Sequence, residues 1–345
     1  MSVFNQTKTY RPFTYPWAME LAIEHNQDLY WETHQIDMID DIRQYHGEGG
    51  LATANASHEA TKNMLNKVLA LFTQMDMEAG GLYCKLLPHI GNNEIRNMWM
   101  NFASRESTHQ RGYAMGVEVL EMPESTWGEF MEYVEMSDKI ETMTNLDGMD
   151  LTKPVDFAKV VGQLLLAEGI CLFGAFACML NLKRFGLMMG LNMINEWSLR
   201  DEERHVDGNL MVLNAIRVDD LSDSEQEELN VFLRDMARRY AEAEFKFIDL
   251  VFEMGPVEDM TAEDMKNYIK YLSDLRLRHL GVPTLYGVDK NPLEWMDYVL
   301  SGKQHTNFFE AKVGEYSHSG LSGDIDYGGY MDKVKLNNNK ALLPK

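Results

Sequence analysis

Residues 160–180 read VVGQLLLAEGICLFGAFACML, a 21-residue apolar run interrupted only by Gln163 and Glu168. Its length suits a bilayer crossing. An ionisable group at the centre of a lone span is expensive, however, no second span accompanies it, and no basic flank orients it. The better expectation is a helix buried on all sides inside a large helical protein, with a carboxylate planted in its middle. Such a carboxylate has to be paired, bound to metal or protonated. One residue thereby constrains the fold and the chemistry together.

The remaining sequence reads the same way. Ala, Leu, Met, Glu and Lys fill long stretches at helical spacing from about residue 15 to about residue 274, and alternating Val/Ile/Thr strands are hard to find. Breaks fall at residues 47–50, 88–93, 122–125, 148–154, 219–224 and 255–261, and Ser222 and Thr261 make good N-caps. An all-α bundle follows. With 32 Lys+Arg against 54 Asp+Glu the net charge is −22, which argues against nucleic acid or an anionic membrane as a partner. Three cysteines, Cys84, Cys171 and Cys178, are too few for a disulfide framework or a four-thiolate zinc site. The first residues carry no secretory run, so a cytoplasmic location is the default. After Glu310 the chain turns rich in Gly, Ser and Asn. Residues 1–310 therefore read as the helical domain and 311–345 as a flexible tail.

Glu-x-x-His puts a carboxylate and an imidazole one turn apart on one helix face, where both reach a single metal ion. It occurs at Glu106/His109, Glu202/His205 and Glu315/His318. With ten histidines in the chain, a single occurrence is what chance alone provides. The third pair lies in the Gly/Ser tail, where no helix presents it. The first two sit in strongly helical contexts. Two such helices, with one carboxylate from each of two others, make the dinuclear site of ferritin-like bundles. Glu168 supplies one of those carboxylates, and LALFTQMDMEAGG offers Asp76 or Glu78 for the other. Oxygen and imidazole ligands suit iron or manganese better than zinc or copper. Tyr113, four residues after His109, shares the ligand face, where a metal pair that activates dioxygen could oxidise its phenol. The plainer account is a core tyrosine with a bonded hydroxyl.

SRESTHQRGY, LLLAEGICLFGAF and LRDEERH resemble the ligand helices of the small, radical-generating subunit of class I ribonucleotide reductase. FTQMDMEAG resembles that family's first ligand segment, which selects Asp76 over Glu78. The similarity runs from DLYWETHQIDMID to FFEAKVGEY. It implies a ferritin-like fold and a dinuclear metal centre held by Asp76, Glu106, His109, Glu168, Glu202 and His205. The metals would be iron, with a manganese or mixed pair as the alternative. It further implies that Tyr113 is the radical tyrosine and that Trp31, Asp201 and His109 begin a long-range radical path. The implied assembly is a homodimer whose tail docks on a large catalytic subunit, with Tyr327 or Tyr330 as the relay and Tyr327 preferred. A manganese pair would add a flavodoxin-like activase.

Three features depart from the family pattern. Ser198 and Asn195 stand where aliphatic residues are commoner near the radical pocket, although Leu172 and Phe176 fit an apolar one. The tail also ends KVKLNNNKALLPK instead of acidic and aromatic. The expected function is the small subunit of a ribonucleoside-diphosphate reductase, active only with its large subunit. The alternatives are a dinuclear oxidase or desaturase acting on an apolar substrate, and a metal-storage bundle.

Overall fold

The computed structural model describes residues 2–10, 13–27, 30–125, 127–128 and 133–297. The expected boundary at residue 310, the pair Glu315/His318, and the tail tyrosines Tyr327 and Tyr330 lie outside the described residues. Among the described residues there is no β-strand, only an isolated bridge between Val257 and Met260. The helices are α1 (Pro16–Gln27), α2 (Ile39–His46), α3 (His58–Leu86), α4 (Asn93–Val119), α5 (Val134–Thr144), α6 (Pro154–Arg184), α7 (Met189–Asp219), α8 (Asp223–Val251) and α9 (Ala262–His279). All of them belong to a compact unit made of Met1–Lys8 and Thr14–Pro292. Within it α3 packs on α4, α6 on α7 and α8, and α4 on α7, so α3, α4, α6 and α7 surround one core.

Helix starts follow local chemistry. Ser57 and Asn92 accept from the amides of Ala60 and Ile95 and so cap α3 and α4. Ser222 with Glu225, and Thr261 with Asp264, close the capping boxes of α8 and α9, as the sequence suggests. The break at residues 185–188 is not among the expected ones, although Gly186, left-handed at φ +72°, marks the end of α6. There Met188 adopts φ +52°, and Asp41 of α2 accepts from the amides of Gly190 (3.1 Å) and Leu191 (2.6 Å). A carboxylate from another helix thus caps α7, which no local pattern reveals.

Helix α6 is the apolar run, and the whole of its most apolar stretch is buried inside the protein. It is not a regular α-helix. Ala167–Leu172 forms a π-helical turn with Glu168 inside it. The wider turn frees the carbonyl of Gly169, which accepts from Arg276 Nε of α9 at 3.1 Å. A Cβ at position 169 would stand 2.7 Å from that nitrogen, so only glycine admits the guanidinium. Single π turns of this kind are frequent at functional sites.

Candidate metal centre

Asp76 stands in the middle of α3, Glu106 and His109 one turn apart on α4, Glu168 in the π turn of α6, and Glu202 and His205 one turn apart on α7. All six are buried. Their donor atoms gather into two groups, Asp76–Glu106–His109–Glu202 and Glu106–Glu168–Glu202–His205, each with every donor within 4.8 Å of the others. Glu106 and Glu202 belong to both. Glu78 lies outside the groups and bonds Gln74 instead.

Both imidazoles turn Nδ1 inward. His109 Nδ1 lies 3.2 Å from Glu202 Oε1 and 3.4 Å from Glu106 Oε2. His205 Nδ1 lies 3.0 Å from Glu106 Oε1 and 3.1 Å from Glu202 Oε2. Yet Asp76 Oδ2, both Glu106 oxygens, His109 Nδ1, Glu168 Oε1 and Glu202 Oε1 complete no hydrogen bond. Buried polar atoms are very rarely left so, and six of them aimed at one small volume fit a pair of cations.

The charges agree. Burial raises the Asp76 carboxyl well above its usual range, with Glu106 and Glu202 adding repulsion, and burial pushes Glu168 up to about 8. At Glu202 burial also pushes upward, but His205 and His109 outweigh it and bring the group down to about 2. The imidazoles move the opposite way: the carboxylates around them overcome burial and raise both. Four carboxylates sharing one dry volume have to be neutralised. The metal-free cluster achieves this with protons, and two divalent cations would do so with metal.

The outward nitrogens meet partners of their own. His109 Nε2 donates to Asp201 Oδ2 at 3.0 Å. The same oxygen accepts from Trp31 Nε1 at 2.9 Å and from Arg105 Nε and Nη2 at 3.1 and 3.0 Å. Burial opposes charge on Asp201, but these donors hold it ionised far below the usual carboxylate range. The Trp31 ring stacks on His109 with centroids 5.9 Å apart and planes 12° from parallel. Gly112 permits this: a Cβ there would sit 2.9 Å from Ile194 and 3.3 Å from Trp31. The expected Trp31–Asp201–His109 chain is therefore continuous, and Arg105 is an addition the sequence did not announce.

His205 Nε2 lies 3.3 Å from His25 Nε2 of α1. Burial, then the other imidazoles and Arg105, pull His25 down to about 3, so it is neutral and accepts from His205. Tyr83 donates to Glu168 Oε2 at 3.2 Å. Asn209 Nδ2 donates to both of them, and Trp99 Nε1 donates to Asn209 Oδ1. Tyr83 had a legible signal, since it lies seven residues after Asp76 on the same helix face. His25, alone on α1, had none.

Tyr113 is wholly buried and stacked on Phe72, with centroids 4.3 Å apart, and Phe72 stacks in turn on Phe176. Its hydroxyl completes no hydrogen bond. Burial and then the Asp76 charge raise the phenol well above its usual range, while the nearby Ser198 hydroxyl pulls weakly the other way. Asn195 is turned aside, its amide donating to the Phe176 carbonyl at 3.3 Å. Leaving the hydroxyl unpaired costs about 1–3 kcal/mol, which burial of the ring offsets by about as much.

Four helices that converge two Glu-x-x-His pairs and two further carboxylates define a ferritin-like dinuclear carboxylate protein. Comparison with known proteins narrows this. Residues 7–292 match the family model for the ribonucleotide reductase small chain, and the protein belongs to that family. A probable ribonucleoside-diphosphate reductase small subunit of Invertebrate iridescent virus 3 is 32% identical, across 94% of this chain and 89% of the viral one. The ribonucleoside-diphosphate reductase small chain of Nicotiana tabacum is 25% identical, across 94% of this chain and 93% of its own length. Among solved structures, the ribonucleotide reductase R2 subunit from Clostridium botulinum shares the fold at a TM-score of 0.75 with 18% identity, covering 87% of this chain and 94% of that one. The Rnr4 homodimer structure from Saccharomyces cerevisiae gives 0.70 with 18% identity, covering 91% and 92%.

Proposed function

We propose that this chain works as the oxidant-generating half of a ribonucleoside-diphosphate reductase, with Asp76, Glu106, His109, Glu168, Glu202 and His205 holding two metal ions. The observation that carries the reading is the pair of overlapping donor groups that share Glu106 and Glu202. When bound, the metal pair supplies the chemistry of dioxygen activation and a one-electron oxidant. Oxygen and nitrogen donors without a thiolate favour iron, with manganese or a mixed pair as the alternative.

The protein residues divide the remaining work. Asp201 fixes the tautomer and plane of His109, as His25 does for His205, so both Nδ1 lone pairs face the cations. Tyr113 stores the oxidant, because its phenol lies among Phe72, Phe176 and other buried side chains with no hydrogen bond to a donor. The stored equivalent leaves through His109, Asp201 and Trp31 towards a cysteine on a large catalytic subunit, where nucleotide reduction occurs. The tail beyond residue 310, with Tyr327 preferred to Tyr330, docks on that subunit and completes the relay. The working form is a homodimer. The free thiols of Cys84, Cys171 and Cys178 suit a reducing compartment such as the cytoplasm.

Reconstitution tests this directly. The metal-loaded chain should reduce ribonucleoside diphosphates only after a large subunit is added, and a chain ended at Gly320 should keep its metal and oxidant but lose turnover. Oxidation of an apolar substrate without a partner would favour the oxidase reading instead.

A further inference from the structure

Trp31 is buried, at 2% exposure, so a radical that reaches it still lies inside the protein. Its chain neighbour Tyr30 is 55% exposed. The Arg105 carbon Cζ stands over both rings, 5.2 Å from the Trp31 centroid and 5.4 Å from that of Tyr30. The two ring centres are therefore no further apart than those two distances laid end to end. Each ring also carries its own carboxylate: Trp31 donates to Asp201, and the Tyr30 hydroxyl donates to the half-buried Glu32.

A cation over an aromatic face is attracted to the neutral ring and opposes a positive charge on it. The Asp201 carboxylate at Nε1 offsets that cost for Trp31. Tyr30 must instead release its phenolic proton as it releases its electron, and Glu32 is in hydrogen-bond contact to receive it. A surface tyrosine without a carboxylate partner, or without the shared guanidinium, would have no such arrangement.

From this we infer that Tyr30, with Glu32 as its proton acceptor, is the surface port through which Trp31 exchanges single electrons with a donor outside the helical domain. The inference rests on the reading of Trp31 as the exit from the metal centre. In the step, Tyr30 gives one electron to the oxidised Trp31 ring and its phenolic proton to Glu32, and Trp31 returns to its neutral form with Nε1–H still bonded to Asp201. The Tyr30 phenoxyl then takes one electron from an outside tyrosine or thiol and its proton back from Glu32, while the donor's own proton passes to solvent.

The test uses the metal-loaded, oxidised chain and ferrocyanide as an outside one-electron reductant. The readouts are the rate at which the stored oxidant disappears, by absorbance and paramagnetic resonance, and the metal content. Tyr30→Phe keeps the ring over Arg105 but cannot lose a phenolic proton. It should discharge about tenfold more slowly or worse, at unchanged metal content and unchanged initial oxidant. Glu32→Gln should slow discharge by a smaller factor, and Trp31→Phe at least as much as Tyr30→Phe. Discharge of Tyr30→Phe at the native rate overturns the relay. If Trp31→Phe is slow beside it, the exit reading survives and only the port is lost; if both are native, the exit reading falls as well.

Discussion

Two phenols lie buried against this centre, and they are held in opposite ways. Tyr83 is tied into a polar mesh, donating to Glu168 and accepting from Asn209, which Trp99 braces. Tyr113 feels the charge of Asp76 but makes no hydrogen bond, and its ring is stacked on Phe72. The same side chain thus serves two ends. A hydrogen-bonded phenol fixes the orientation of a ligand carboxylate. An isolated phenol in aromatic surroundings can lose an electron and keep the resulting radical away from donors. On the proposed reading, nearness to the metal centre is not enough to make a radical store; the polarity of the next contact decides.

Removing a ligand on the Tyr83 side should have the largest effect. Glu168→Ala should cut tightly held metal from two ions to at most one per chain and abolish turnover with the large subunit, without unfolding the protein. The desolvation cost of the carboxyl leaves together with it. Full occupancy by metal analysis would break the assignment of Glu168.

The paired substitutions Tyr113→Phe and Tyr83→Phe sharpen the contrast. The first should eliminate the organic-radical signal and the turnover at unchanged metal content. The second should keep the radical signal but weaken metal retention about tenfold, the usual scale for loss of a ligand's outer partner. If Tyr113→Phe keeps turnover, the oxidant resides on the metals.

A third outcome concerns pH. In the metal-free chain Glu168 titrates near 8 instead of its ordinary 4.5, and Asp76, His109 and His205 are raised as well. Between about pH 6.5 and 8, where His25 is neutral folded or unfolded, the folded state therefore binds protons that the unfolded state has released, so stability falls as pH rises. Each such proton is worth about 1.4 kcal/mol per unit. Glu202 and Asp201 are shifted down and act below this window. Thermal denaturation should show the metal-free melting temperature dropping across this range. The metal-loaded protein should show no such fall, because cations replace the protons. The smallest effect belongs to Ser198→Ala. Since Ser198 completes no hydrogen bond to Tyr113, the radical lifetime should change by less than about fivefold, under 1 kcal/mol.

Much of this was legible because it is periodic. The all-helical class, the burial of residues 160–180 and the two Glu-x-x-His pairs follow from spacing along single helices, and family motifs placed Asp76, Trp31 and Asp201. What escaped depends on contacts between distant segments. Arg105 immediately precedes a ligand, but its role comes from the position of Asp201, 96 residues away. His25 acquires meaning only when α1 meets α7. Asp41 caps the start of α7 from 149 residues upstream. Ser198 and Asn195, alike as polar departures in sequence, part company in space, one facing the phenol and the other bonded to backbone.

The π turn of α6 also bears on how the family can be aligned. Relative to a plain α-helix, such a turn is a one-residue insertion absorbed without a loop. Were the segment regular helix with no residue removed, everything after it would rotate by about 100° relative to Glu168. Phe176 would swing away from Phe72, and Arg276 would lose the freed carbonyl it now caps. A relative with a regular helix here should therefore carry a single-residue gap just after its glutamate, with no turn residues to mark it.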